Sequence, residues 1–350
     1  MSFTIAFYVH HHGSGHLMRT LQVARQLTAY KVILLGSQLQ GLEEKNMENI
    51  QLIHLPADVP DTAMSDNTGT KAPDTFHYAP LNIEGIRDRM AIMAELFRKE
   101  YPLLLVVDVS VEVTLLARLC AVPTVVIRQH GLRDDLPHLM AYQSAEILLA
   151  PFSGDIYIGK KDWIYNKTVF TGGFSRFSRA AEKTPEIAKH VVILIGGGGT
   201  SINTSLIKNI AKACPEYIFH VVGVFKQDQS LPNLFWHGKV ANPQSLLESC
   251  QFIIGNTGHN TVMEVATLNK RFIGIPEKRP FQEQKQKAES IQHRNGIKII
   301  AVEDLTTQDW KAIFEQLSYQ LPDWKGIIDN GALFRMAQAI IDTGNNFFKI

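Results

Sequence analysis

The 350-residue sequence has little cysteine: Cys120, Cys214 and Cys250 are scattered and lack CxxC spacing. That argues against a disulfide framework or a zinc site and fits a reducing compartment. An excess of charge of either sign is also missing. Lys and Arg number 35 against 34 Asp and Glu, so no global field draws the chain to nucleic acid. No apolar run approaches the roughly 20 residues of a membrane span. Met1–Val9 has neither a basic n-region nor a cleavage site, and polar His10 follows directly. The expectation is a cytoplasmic protein, with peripheral contact at the inner face of a membrane left open.

What is present is ordinary globular composition, 45% hydrophobic and 20% charged, in a chain long enough for two domains. Short apolar runs alternate with amphipathic stretches, the signature of βαβ units and a parallel sheet. Strands are predicted at Phe3–Val9, Lys31–Leu35, Ile50–His54, Leu103–Val107, Thr124–Ile127 and Ile147–Ala150, with helices at Gly15–Ala29, Ile86–Glu100 and Glu112–Cys120. A second series has strands at Val191–Ile195, Tyr217–Val222, Leu234–Trp236, Phe252–Ile254, Phe272–Ile275 and Gly296–Ile300. Helices near Asn203–Ala213, Pro243–Glu248, Asn260–Leu268 and Glu283–Asn295 separate them. The polar Pro56–Pro80 segment, with no periodicity, reads as a long loop. The expected architecture is α/β: a doubly wound Rossmann-like domain over 1–172, a linker over 173–190 and a second such domain over 191–329, facing the first across a cleft. A C-terminal helix in 330–350 is expected, with a return to the first domain left open.

In such sheets ligands bind beyond the carboxyl ends of the strands, so the residues after each strand carry the functional reading. After the first strand comes His10-His-His-Gly-Ser-Gly-His-Leu-Met-Arg19. Gly13 and Gly15 allow a tight turn, and His16 opens a helix facing the cleft, where a neutral imidazole suits proton abstraction. His10, His11 and His12 alternate along a strand and cannot share one face, which disfavours a metal cluster. Arg19 either orients an anion or solvates the helix. The loop is not a dinucleotide fingerprint: the third glycine is missing, and Gly36-Ser37 replaces an acidic residue after the second strand.

In the second series Gly196, Gly197, Gly198, Gly199, Thr200 and Ser201 stand between a strand and a helix, without the Lys-Ser/Thr of a P-loop. Their N–H groups suit a phosphate; a plain tight turn is the competing reading. The segment Asn256, Thr257, Gly258, His259, Asn260, Thr261 joins a buried strand to a helix. Its first-turn N–H groups and two threonine hydroxyls suit a diphosphate. Glu264, one turn on, has only acceptor sites and suits a pair of ribose hydroxyls. Gln284 opens the next helix, near the sugar end of such a donor.

At these residues the sequence resembles the GT-B glycosyltransferases, and most closely family 28 over about Val191–Ala301. Asn256–Glu264 is similar to the family's Ser-Gly-x-x-Thr-x-x-Glu element, which implies Glu264 as ribose ligand and Thr257–Thr261 as diphosphate loop. Glu283-Gln284 with Ala288 is similar to its Gln-Gln-…-Asn-Ala run, implying that Gln284 binds the donor sugar. Thr171-Gly-Gly-Phe-Ser-Arg176 is similar to its Thr-Gly-Asn-Pro-x-Arg and carries over Arg176 as a cleft arginine; Val240 is implied to hold the base through its backbone. Gly13-Ser-Gly-His16 is a shortened form of the family's glycine-rich loop. Lys287 stands where the family has asparagine, and Gly198 where it has serine.

The resemblance implies an inverting hexosyl transfer from a nucleotide-sugar, UDP-linked in the preferred reading, to a glycan, lipid-linked sugar or small-molecule hydroxyl in envelope or polysaccharide synthesis. His16 is the expected base, oriented by Asp108. No Asp-x-Asp is present, so no metal and no further cofactor are expected. Two alternatives stand: a nucleotide-sugar 2-epimerase or hydrolase using Asp108, Glu112, Asp134 and Asp135, and a non-catalytic nucleotide-sugar-binding subunit. Phe76, Tyr78, Leu132, Leu136 and Met140 are candidates to pack an apolar acceptor, with ordinary core as the bland reading.

Overall fold

A computed structural model describes residues 2–10, 14–40, 42, 48–59, 73–178, 184–223 and 231–350. The expectations placed on His11, His12, Gly13 and residues 60–72 of the long loop lie outside them.

The apolar runs of the first half form β1 (Thr4–Tyr8), β2 (Val32–Gly36), β3 (Ile50–His54), β4 (Leu103–Asp108), β5 (Thr124–Ile127), β6 (Ile147–Ala150) and β7 (Thr168–Phe170). They pair in parallel in the order β3-β2-β1-β4-β5-β6-β7. Helices α1 (Ser14–Ala24), α2 (Glu84–Lys99), α3 (Val111–Leu119), α4 (Leu136–Ser144) and α5 (Trp163–Lys167) make the crossovers. Every residue of β4 is buried, which is why it reads as a continuous apolar run instead of an alternating one.

The second half repeats the plan. Strands β8 (His190–Leu194), β9 (Ile218–Val222), β10 (Leu234–Gly238), β11 (Phe252–Asn256), β12 (Arg271–Ile275) and β13 (Ile297–Ile299) lie in the order β10-β9-β8-β11-β12-β13. Helices α6 (Thr204–Ala213), α7 (Gln244–Ser249), α8 (His259–Thr267), α9 (Glu283–Ile291) and α10 (Trp310–Ser318) accompany them. In each sheet the order reverses beside the first strand of the unit, between β1 and β4 and between β8 and β11. Loops leaving those neighbouring strands diverge to opposite faces and open a crevice at each switch point.

The last helix, α11 (Ala332–Phe348), returns to the first sheet. Ala332, Met336, Ala337 and Ile340 join Phe3, Leu21 and Leu27 in its core. Gly344 lets the helix lie directly on Phe3, since a Cβ there would come within 2.1 Å of the ring. Arg335 donates to the Thr171 carbonyl at 2.8 and 3.1 Å, fastening the helix beside the end of β7. Among the described residues no helix is long and apolar enough to cross a membrane.

Candidate functional site

At the first switch point, α1 follows β1 and carries His16, while β4 ends on Asp108. Their meeting is a product of strand order, because the two residues are 92 positions apart. His16 Nδ1 lies 2.6 Å from Asp108 Oδ2, and Arg19 donates to Asp108 Oδ1 at 2.5 Å. Arg19 also stands 3.3 Å from His16 Nδ1. An arginine cannot accept, so the carboxylate is the partner for an Nδ1 proton. Burial alone would raise the Asp108 carboxyl, but the Arg19 and His16 charges outweigh it and hold the group below its ordinary range. An ionised Asp108 fixes the tautomer with Nδ1–H inward and leaves Nε2 as the basic nitrogen. The His16 side chain is 20% exposed against 3% for Asp108, so the imidazole reaches the cleft while its partner does not.

Arg19 is therefore neither an exposed cation nor a helix-surface residue; it is buried and neutralises Asp108. Val109, directly after Asp108, adopts φ 60°, a left-handed conformation costly for a β-branched residue. Strain of this kind collects at sites where a side chain must be aimed.

At the second switch point α8 begins at His259 with Gly258 as its N-cap, and no side chain caps it. The first-turn N–H groups of His259, Asn260 and Thr261 have no side-chain cap among the described residues, and such a helix start suits an anion by its dipole and its free donors. Asn256 and Thr257 play a different part from the one expected. The Thr257 hydroxyl donates to the Gln284 carbonyl at 2.8 Å, and its N–H donates to Ile275. With both donors used, Thr257 braces β11 against α9 and has no proton left for a phosphate. Asn256 Nδ2 donates to Glu277 at 3.0 Å.

Glu277 is the residue the sequence reading missed. It accepts from Asn256, from the Thr200 hydroxyl at 3.1 Å and from the Ser201 N–H and hydroxyl at 2.5 and 2.8 Å. Its own N–H donates to Gln284 Oε1 at 3.0 Å. Thr200 is thus a strut of the loop. Gly197, Gly198 and Gly199 are exposed, and they precede α6 by several residues, with Asn203 as the helix cap. The glycines therefore offer a loop and not a helix terminus. Arg279 covers that loop, donating to the Gly199 carbonyl at 2.6 Å. It is a second missed residue, and a guanidinium over an open glycine loop is a ready counter-charge for phosphate.

Glu264, in the second turn of α8, accepts from Arg176 Nε at 2.7 Å. Burial raises the Glu264 carboxyl, with Arg176 opposing. Arg176 also donates to Ala241 O at 3.4 Å, which brings the linker arginine, Glu264 and the neighbour of half-buried Val240 to one place.

The two switch points face each other. A Cβ on Gly15 would fall 2.5 Å from Asn260 Nδ2, so the start of α1 touches the start of α8. Farther along the seam, Leu132 N donates to Phe281 O at 2.7 Å and Gly131 N donates to Gln286 Oε1 at 2.8 Å. Phe281 and Gln282 take φ 57° and 55°, turning the chain so that Phe281 enters the first unit beneath Arg133, 4.8 Å from its ring centroid.

Beside Phe281, His77, Asp135 and His138 place ligand atoms within 4.8 Å of one another, the metal candidate among the described residues. Asp135 bonds both imidazoles, at 2.8 and 2.6 Å. Burial would raise its carboxyl, but those bonds bring it down to about 2. Burial and then Arg133 push His138 down to about 4, and Arg133 stands 3.0 Å from its Nε2. A fixed cation so close disfavours a metal ion. Glu112 accepts from the His77 and Tyr78 N–H groups at 2.8 and 2.9 Å. Of the acids that a 2-epimerase reading would need around the sugar, Asp108, Glu112 and Asp135 are thus taken up by partners in the first unit, and Asp134 is exposed. Phe76, Tyr78, Leu132 and Leu136 are exposed and Met140 half-buried, so the bland core reading does not describe them.

Residues 171–319 match the glycosyltransferase family 28 C-terminal domain. No curated protein matches the chain in sequence. Among solved structures, the glycosyltransferase of kitacinnamycin superposes with a TM-score of 0.66 at 14% identity, over 99% of this chain and 96% of that one. MurG of Acinetobacter baumannii gives 0.64 at 15% identity, over 97% and 99%. LpCGTa, in complex with UDP, gives 0.63 at 12% identity, over 99% and 94%. The fold is the two-unit Rossmann-like GT-B arrangement.

Proposed function

We propose that this glycosyltransferase, of GT-B fold and with a family 28 C-terminal domain, transfers a sugar with inversion from a UDP-linked donor to an acceptor hydroxyl, without a metal ion. The observation that carries the reading is the His16–Asp108 pair facing the uncapped start of α8. A base and a diphosphate site stand on opposite walls of one crevice.

The donor diphosphate lies against the first turn of α8 and the Gly197–Gly199 loop, with Arg279 supplying positive charge. Glu264 takes the ribose hydroxyls, Arg176 lies beside it, and the backbone near Val240 meets the base. Gln284, held by Glu277, faces the sugar. These fixed donors stabilise the leaving diphosphate as its charge develops, the part a metal ion plays elsewhere. His16 Nε2 takes the proton of the acceptor hydroxyl, whose oxygen attacks the anomeric carbon opposite the departing phosphate. Asp108 stabilises the imidazolium that forms. The exposed apolar side chains at 76–78 and 132–136 favour an acceptor with an apolar portion, a lipid carrier or aromatic aglycone. Division of the chain at 1–172, 173–190, 191–329 and 330–350 is part of the proposal, as is a role in polysaccharide or envelope synthesis on the cytoplasmic side of a membrane.

Calorimetric titration with UDP, TDP, GDP and ADP, with and without EDTA, tests the donor half. The expected result is UDP binding that EDTA leaves unchanged, in keeping with the structural neighbour in complex with UDP. Failure of all four nucleotides to bind the folded protein would remove the donor site and leave a partner-subunit role.

A further inference from the structure

Lys287 lies on α9, one turn beyond Gln284 and on the same buried face. It is 1% exposed, and its Nζ has no hydrogen-bond partner among the described residues. An ammonium removed from water without an acceptor is strongly unfavourable. Burial pushes it down to about 7, with Glu283 opposing. Glu283 is itself taken up by Arg133 at 3.5 Å. The other site carboxylates are engaged too: Asp108 by His16 and Arg19, Glu264 by Arg176, and Glu277 by Thr200, Ser201 and Asn256.

A second nitrogen is in the same condition. His130 is 7% exposed, and its Nε2 has no hydrogen-bond partner among the described residues. Its ring packs on Phe152 at 3.9 Å between centroids, and Lys287 Nζ stands 5.5 Å from that same Phe152 centroid. His130 and Phe152 belong to the first unit and Lys287 to the second, so the pair straddles the seam. Buried polar atoms are nearly always satisfied, so the Lys287 ammonium calls for an acceptor from outside the chain, and His130 Nε2 donates to the same acceptor in its Nε2–H tautomer.

We propose that Lys287, with His130 opposite, binds a carboxylate on the sugar of the donor, so that the transferred sugar is a uronic acid. The inference rests on the nucleotide-sugar reading above and narrows it. The diphosphate already has the start of α8, the glycine loop and Arg279. Lys287 lies past Gln284 toward the first unit, on the sugar side of those groups.

The test is calorimetry on the whole protein with UDP, UDP-glucose and UDP-glucuronate, and with GDP, GDP-mannose and GDP-mannuronate, for the wild type, Lys287→Met and Lys287→Gln. Methionine keeps the stem's length and removes the buried charge, so folding is not put at risk. A charge-assisted bond predicts a preference of about tenfold or more for the uronate in the wild type. Both variants are expected to lose that preference while binding the nucleotide alone as before. Equal wild-type affinity for the acidic and neutral sugars would overturn the proposal. So would loss of affinity for the bare nucleotide in the variants, which would make Lys287 a diphosphate ligand. If UDP and GDP fail to bind and TDP and ADP fail as well, the nucleotide-sugar reading falls and this proposal with it; a nucleotide that binds without discrimination removes this proposal alone.

Discussion

His16→Ala is expected to lower turnover by about 100- to 10,000-fold, the usual worth of a positioned general base, while leaving nucleotide affinity unchanged. The two effects separate because His16 stands on α1 of the first unit, while the proposed donor ligands lie on the linker, loops and helices of the second. Nucleotide release in a coupled assay reads turnover, and calorimetry reads affinity. Loss of both together would mean that His16 shapes the donor site instead of the chemistry. Full activity would mean that the proton leaves by another route.

Asp108→Asn should affect activity and stability at once. An amide cannot stabilise an imidazolium, and its NH2 can donate to Nδ1, moving the ring proton to Nε2 where a base is needed. The corresponding change in a serine-protease triad costs about 10,000-fold, and a loss of that order is the expectation here. Arg19, with a side chain 6% exposed, would keep its charge and lose its counter-ion. Breaking a buried pair from one side costs about 3–5 kcal/mol, measurable as a fall in the denaturant midpoint. The pH dependence follows from the direction of the shift. The folded carboxyl titrates below the unfolded one, so its stabilisation is full above about pH 4, the unfolded value. It is lost as pH falls toward the folded value, and the asparagine variant should lack that part of the acid sensitivity. A variant as stable as the wild type would show that Arg19 has another partner.

Much of the architecture was legible because parallel strands buried on both faces write themselves as apolar runs. Six strands of each sheet were read within a few residues of where they lie. The short β7 was missed, as three residues carry no pattern. Helix α4 was missed because it is apolar around much of its circumference, although Asp135 caps it. Helix α10 had its signal, Asp309 before Ile313, Phe314 and Leu317, but it follows the last strand, where no crossover demanded a helix.

At the candidate site, residue types beyond strand ends singled out His16 and Glu264, which the fold places after switch-point strands, and Gln284, which it places after β12. What could not be read was pairing across the fold. Arg19 looks like a helix-surface cation until β4 delivers Asp108, 89 positions away. The same holds for Arg176 and Glu264, 88 apart, and for Glu277, whose partners come from the loop after β8 and from β11. Lys287 in a run of Glu, Gln and Lys reads as solvated helix, and only the opposing unit reveals that it is buried.

Direct displacement at the anomeric carbon, driven by His16, inverts the linkage of the transferred sugar. It is tested most directly by the NMR configuration of the product formed from an α-linked UDP-sugar and a competent acceptor. A β-linked product, formed equally well in EDTA, is expected; an α-linked product would rule out a single displacement.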